Sequence, residues 1–360
     1  MNWTQFLFRL VEPVVPPRFV IKRLLLLIPV LFGVASVVFA ILHLAPGDPA
    51  IIIAGQRASA EQLEQIRVEL GLRRPLWEQY LGFLWDAARF DFGQSYSISR
   101  GNSVRSVISD RLPITLELAI YGQAAGILLG LPLGIISAVK QDSLTDHVTR
   151  IGALTGISVP IFWSGPLLIL LFSTYLDVFP TSGRIKSTLF LPDTWTLFGR
   201  ELPLTGMITL DTILLGNTEA FLSAAHHLFL PAVVIGVYST ALISRMMRSS
   251  MLEVIRQDYI RTARAKGQGA KITLMKHGFR NALIPVVTVI GIQFGTLLGG
   301  AVLTETVFGI NGMGLTIVTA IGVSDYPVVQ GTVLTFALLF TLVNLFVDVT
   351  YSYLDPRIQQ

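Results

Sequence analysis

The residues of this chain able to do chemistry are basic, and they cluster. Positions 245–280 hold nine Lys or Arg (Arg245, Arg248, Arg256, Arg261, Arg264, Lys266, Lys271, Lys276, Arg280) against two acids, Glu253 and Asp258. Within this cluster Leu252, Ile255, Tyr259 and Ala263 fall three and four apart, the spacing of one helix face, while Arg256, Arg261, Arg264 and Lys266 take the other faces and Gly267 ends the run. A helix this polar does not enter hydrocarbon. Its narrow apolar seam suits two uses, lying on anionic headgroups or docking in a groove of a cytosolic partner, and spacing alone leaves both open.

Other chemistry lacks the residues it needs. There is no Gly-x-x-x-x-Gly-Lys-Ser/Thr loop and no Gly-Lys pair at all, so any ATP must be hydrolysed by another polypeptide. No Gly-x-Ser-x-Gly elbow or His-Glu-x-x-His helix is present, and no catalytic residue is assigned. The five His (His43, His147, His226, His227, His277) are scattered, the adjacent pair cannot share a helix face, and Cys is absent, so neither a metal site nor a cofactor is expected. Glu117 and Asp348 stand at the edges of apolar runs, where a carboxylate reaches water and reads as interfacial.

The elements that position the basic cluster are membrane spans. Of 360 residues 52% are hydrophobic and only 14% charged, with a mean hydropathy of +0.64. A soluble domain carries about 25% charged residues. This composition excludes a soluble enzyme, a disordered chain and a disulfide scaffold. The net charge of +4 beside so much apolar content points to anionic lipid or the cytosol, and away from nucleic acid. Six runs reach the roughly 17–25 residues needed to cross a bilayer: 24–42, 118–139, 151–176, 228–244, 282–304 and 326–347, the fourth being the shortest. The first run is too long and starts too late for a cleaved signal, and reads as a retained span.

Lys/Arg bias sets the sides. Arg9, Arg18, Lys22 and Arg23 against Glu12 place residues 1–23 in the cytosol, six spans return the C-terminus there, and 305–325, with no Lys or Arg, faces outward. The outward stretch 45–112 carries eight bases and eight acids and is long enough to fold. Ser59 with Gln62 reads as a capping box, Gly71 as a stop, and Pro75 as the first turn of a second amphipathic helix carrying Trp77, Tyr80, Leu81, Leu84 and Trp85. Gly122, Gly126, Gly130 and Gly134 bare one face of the second span for close helix approach, within the chain or against a partner subunit, and Gly295 and Gly299 repeat the device. Pro29, Pro132, Pro160, Pro166 and Pro285 interrupt spans.

Arg261-Thr-Ala-Arg-Ala-Lys-Gly267 resembles the "EAA" loop of permease subunits of binding-protein-dependent ABC importers, in the form of the peptide and nickel branch. The similarity continues through Arg280-Asn-Ala-Leu-Ile-Pro285, His43-Leu-Ala-Pro-Gly-Asp-Pro49, Leu70-Gly-Leu72, Asp91-Phe-Gly93, Arg111-Leu-Pro-Ile-Thr-Leu-Glu-Leu118, Glu305-Thr-Val-Phe-Gly309, Asp325-Tyr-Pro-Val-Val-Gln-Gly331 and Asp355-Pro-Arg357, in order along the whole chain. Thr181-Ser-Gly-Arg184, Phe190-Leu-Pro-Asp193 and Pro203-Leu-Thr-Gly-Met207 look most like the dipeptide members of that branch. Three positions depart from the family pattern: Gln268 after the loop glycine, Phe90 in place of a glycine before Asp91, and Ile310-Asn311 in place of Trp-Pro.

The resemblance implies an all-α integral membrane protein of six transmembrane helices, with a cytosolic coupling-helix loop and folded extracytoplasmic segments, in the bacterial cytoplasmic membrane. Residues 24–44 would be the first transmembrane helix, 45–112 an extracytoplasmic helical segment, and 113–360 the permease core, with an outer insertion at 177–227 and the coupling loop at 245–281. It implies ATP-driven uptake of dipeptides or short oligopeptides, with nickel, glutathione or a haem precursor as the alternatives within the class. The partners would be a second, homologous permease, two cytosolic ATPase subunits, an extracytoplasmic peptide-binding protein and membrane lipid. Leu252, Ile255, Asp258, Tyr259, Arg261, Thr262, Ala263, Ala265 and Gly267 would couple to the ATPase, and Phe308, Gly309, Gly312 and Gly314 would stand at the outer gate. An ion-coupled secondary transporter, the reading from another class, needs charged groups at the bilayer midplane, and the spans carry few. A scaffold protein has no use for a basic docking helix.

Overall fold

The computed structural model describes residues 17–44, 48–54, 58–197 and 200–354, so parts of the 1–23, His43 to Pro49 and Asp355-Pro-Arg357 readings lie outside the described residues. Helix α1 (Pro17–Leu44) runs antiparallel to the last helix, α14 (Tyr326–Leu354): Arg23 pairs with Asp348 at 3.0 Å, and Leu42 packs beside Val329 at the far end. Short helices α2 (Pro49–Ala54), α3 (Ala60–Glu69) and α4 (Leu76–Ala88) follow. Ser59 and Gln62 form both halves of the expected capping box. Pro75 stands at the N-cap of α4, one position before the first turn. The Tyr80 hydroxyl meets Ser36 Oγ at 2.6 Å, which sets α4 against α1. Arg67 donates to Asp48 and holds that carboxyl below the usual carboxylate range.

Two long helices form the spine. Helix α5 (Val104–Val139) lies along α9 (Thr218–Ile255), and the glycine stripe is the reason they come so close. A Cβ on Gly122, Gly126, Gly130 or Gly134 would fall within 3.0 Å of Ile235, Ser239, Ile243 or Met247 respectively, so the stripe is used inside the chain. A Cβ on Gly295 likewise would strike Phe340, whereas Gly299 faces open space. Pro29, Pro132 and Pro285 sit inside unbroken helices. Pro160 alone among the five marks a sharp break, a 102° bend between α6 (Leu144–Ser158) and α7 (Ile161–Leu168), which a π-helical turn prolongs over Ile169–Tyr175.

The six expected spans correspond to α1, α5, the bent α6–α7 pair, α9, α12 (Arg280–Phe308) and α14. The fourth is corrected most. Read as 17 residues from its uncharged core, it is a helix of 38, because the polar residues on both sides of that core continue the helix. Residues 218–227 and 245–255, assigned to an outer insertion and to a loop, are therefore its two ends. Between α7 and α9 come an antiparallel hairpin, β1 (Thr194–Leu197) with β2 (Arg200–Pro203), and α8 (Ile208–Leu214). Helix α10 (Asp258–Ala265) and a single turn α11 (Ala270–Ile272) lead through a π-helical turn, Thr273–Phe279, into α12. The chain then turns 82° into α13 (Met313–Gly322). Exposed apolar side chains such as Ile28, Leu128 and Phe346 face outward, as lipid contact requires.

Candidate coupling surface and buried carboxylates

The basic stretch is not one helix. Leu252 and Ile255 belong to the end of α9 and pack beside Met251, Ala282 and Val286, and the helix stops at Arg256. Gln257, in extended backbone, starts α10 afresh without a side-chain cap. The expected continuous face from Leu252 to Ala263 is thus broken, since a helix axis that changes direction does not carry a stripe across the break. The anchor of α10 is Ile260, a residue outside that stripe, 1% exposed on a helix that rests on the 273–279 turn. Asp258, Tyr259, Arg261, Thr262 and Ala265 are exposed, and Ala263 is half-buried.

The end of α10 is built by its glycine. Gly267 has φ +79° while its N–H donates to Arg264 and the Gln268 N–H to Ala263, the double closure of a Schellman motif. Gln268, the first departure from the family pattern, pairs with His277 at 3.0 Å, and Asn281 donates to the Tyr259 hydroxyl at 2.9 Å, so two polar contacts fix the helix on α12 and the turn before it. Behind them, Arg248 of α9 grips the fully buried Asp146 of α6 with two 2.7 Å bonds, and Asp146 also accepts from Ser137 Oγ at the end of α5. This clamp joins three helices at the α10 end.

The same closure occurs after α4, where Phe90 occupies the glycine position at φ +59° with N–H bonds from Phe90 to Ala87 and from Asp91 to Asp86. The second departure is therefore a side chain held in left-handed backbone. The third is accommodated otherwise: Ile310 is buried in the central core, and the Asn311 carbonyl accepts from Arg111 at 3.1 Å.

The far end of the helix layer holds carboxylates that spacing did not reveal. Glu305, fully buried, accepts from Thr115 Oγ1 at 2.6 Å and from the Leu315 N–H at 2.9 Å, while Met313 N–H donates to the same Thr115. A Cβ on Gly312 would meet the Glu305 carboxylate at 2.5 Å, and one on Gly314 would meet the Val302 backbone at 2.5 Å and the same carboxylate at 2.9 Å. Of the expected gate residues, Gly312 and Gly314 are buried against this carboxylate, Phe308 is buried in the central apolar core, and Gly309 is exposed. Glu117, expected at the interface, is 2% exposed; it pairs with Arg184 at 2.6 Å and accepts from the N–H and hydroxyl of Thr209. Asp325 accepts from Ser95 Oγ and from the N–H groups of Tyr96, Ser97 and Ile98 at 2.6–3.1 Å. Asp211 likewise binds the N–H groups of Thr205 and Gly206. Glu305 joins α5, α12 and α13, Glu117 joins Arg184 and α8 to α5, Asp211 and Asp325 hold loops, and each carboxylate is satisfied, as burial of a charge demands. No cluster of three or more metal-ligating side chains occurs among the described residues.

Residues 130–360 match the family model of the binding-protein-dependent transport system inner membrane component, and residues 17–119 that of its N-terminal part. The chain is 45% identical over 344 residues to the dipeptide transport system permease protein DppB of Escherichia coli (strain K12), covering 95% of this chain and 98% of the relative. It is 43% identical over 341 residues to the DppB of Alkalihalophilus pseudofirmus, covering 95% and 99%. It is 43% identical over 332 residues to the probable D,D-dipeptide permease DdpB of E. coli K12, covering 92% and 94%. This layer of apolar helices, matched over nearly its whole length, belongs to the inner membrane components of binding-protein-dependent transport systems, the permease subunits of ABC importers.

Proposed function

We propose that this permease carries dipeptides or short oligopeptides inward, with α10 as the element that receives the stroke of the ATPase. The substrate reading is supported by relatives named for dipeptide transport that align over 95% of the chain. The coupling reading is carried by one observation: α10 is an eight-residue basic helix held to the body by the buried Ile260 and closed by a left-handed glycine, with Asp258, Arg261, Thr262, Arg264 and Ala265 in solvent. The α10 end faces the cytosol, both termini lie there, and the end bearing Glu305 and Asp325 faces the binding protein. The partners are a second, homologous permease, two ATPase subunits and an extracytoplasmic peptide-binding protein, and the pore runs between the two permeases. ATP binding draws the ATPases together, and α10 passes that motion through α9 and the Asp146–Arg248 clamp to α5 and α6, alternating the side open to substrate. Phe308 to Gly314, braced on Glu305, is the outer gate.

Uptake of a labelled dipeptide by cells lacking the gene and by cells complemented with it tests the substrate. Complementation restores dipeptide uptake and leaves uptake of a nickel salt unchanged. Nickel uptake restored in place of dipeptide would overturn the substrate class while leaving the coupling role standing.

A further inference from the structure

At the α10 end, a cavity of about 350 Å³ opens between α6 and α9, lined by Thr149, Arg150, Arg245 and Arg248 with Leu154 and Ile157 on its apolar side. At about 30 Å³ per water it has room for roughly ten, ample for a glycerophosphate group. Its three guanidinium groups are not equivalent. Arg248 is committed to Asp146, whereas Arg150 and Arg245 form no ion pair among the described residues and both stand exposed. Two unneutralised cations facing one cavity, each a planar fork of N–H donors, call for an anion with several acceptor oxygens.

What surrounds the cavity decides which anion. Along the same helix, Val148, Ile151 and Leu154 are 58–64% exposed apolar side chains, the surface that a bilayer covers. The ligand must therefore carry its negative charge next to hydrocarbon. A soluble phosphate or peptide carboxylate satisfies the arginines and leaves the apolar rim uncovered; a phospholipid satisfies both.

We propose that this cavity is a binding site for an anionic phospholipid of the leaflet on the α10 side, with Arg150 and Arg245 on the phosphate oxygens and an acyl chain along Leu154 and Val148. Bound there, the lipid bridges α6 and α9 beside the Asp146–Arg248 clamp, so it braces the two helices that α10 must move. The site does not depend on the substrate carried, and its test reads lipid binding, which failure of the dipeptide reading would leave unchanged.

The assembled transporter is reconstituted in nanodiscs of phosphatidylcholine containing phosphatidylglycerol, and the lipids retained on release are counted by native mass spectrometry. Wild type should keep one phosphatidylglycerol that the R150Q/R245Q variant loses, with affinity lower by about thirtyfold, the product of two basic contacts. The R150K/R245K variant, which keeps the charge, should retain most of the binding. Glycerol 3-phosphate should not displace the lipid. Equal retention by wild type and the glutamine variant overturns the proposal, and so does displacement by glycerol 3-phosphate or by a dipeptide, which would make the site one for soluble anions. Titrating wild type with phosphatidylglycerol against phosphatidylcholine tests the site without any variant: a preference for the anionic lipid is expected, and its absence overturns the proposal.

Discussion

Glu117, Asp211, Glu305 and Asp325 at one end of the helix layer are each no more than 3% exposed, and each receives at least two hydrogen bonds, Asp211 and Asp325 from loops, Glu117 from Arg184 and α8, and Glu305 from α5 and α13. At the other end only Asp146 among the described residues is a carboxylate buried in this way, and beyond it Arg256, Arg261, Arg264 and Lys266 stand in solvent on and beside a helix with one buried side chain. The first arrangement uses many polar contacts to make loops part of the scaffold. The second holds a short element through the buried Ile260 and the polar contacts of Tyr259 and Gln268. In both places the strength of attachment follows from how many donors would be orphaned by detaching the loop.

The comparison breaks most decisively at Asp325. Asp325→Ala leaves three N–H groups and the Ser95 hydroxyl without an acceptor, at about 1–3 kcal/mol for each buried orphan, so the purified complex should lose several degrees of Tm and residues 95–98 should become protease-sensitive. An unchanged Tm would mean that the strap contributes nothing. Ile260→Ala should cost about 2–3 kcal/mol, but only locally: hydrogen exchange should speed up in 258–267 and dipeptide uptake should fall, while the global Tm stays within a degree or two. A matching fall in global Tm would show that α10 is part of the scaffold after all.

Gly267→Val forces a β-branched residue to φ +79°, a cost of about 1–2 kcal/mol that again stays in the loop. Uptake and transport-coupled ATP hydrolysis should be lost in a complex that still assembles, and normal uptake in a correctly inserted variant would remove the coupling role. The smallest effect has the opposite sign. Phe90→Gly relieves left-handed strain on a half-exposed side chain and should raise stability by about 1 kcal/mol, read as a small rise in Tm; a fall would show that the Phe90 ring, which meets Phe92 edge-on, contributes more than the strain costs.

Features that depend on neighbours in sequence were legible before the fold. The capping box at Ser59 and Gln62, the stop at Gly71 and the four-residue glycine repeat each need only a few residues to be recognised. The break at Gln257 was not, because Leu252, Ile255, Tyr259 and Ala263 keep helical spacing across it and neither Gly nor Pro marks the site. The fourth span read as short because Arg245 and Arg248 end its uncharged window, and only the fold shows that Arg248 is neutralised by Asp146, 102 positions earlier. The buried carboxylates stayed hidden for the same reason: Thr115 and Glu305 are 190 residues apart, and Ser95 and Asp325 are 230.

The bare face of α5 has a mechanical consequence. Where side chains separate two helices, a push on one is partly absorbed as the side chains change rotamer. Between α5 and α9 the glycines leave little side-chain matter to yield, so the pair has low compliance. Helix α9 spans about 57 Å at 1.5 Å per residue, from its start just after α8 to the turn that carries α10. A displacement applied at one end of that rod arrives at the other nearly undiminished, and with it moves α5.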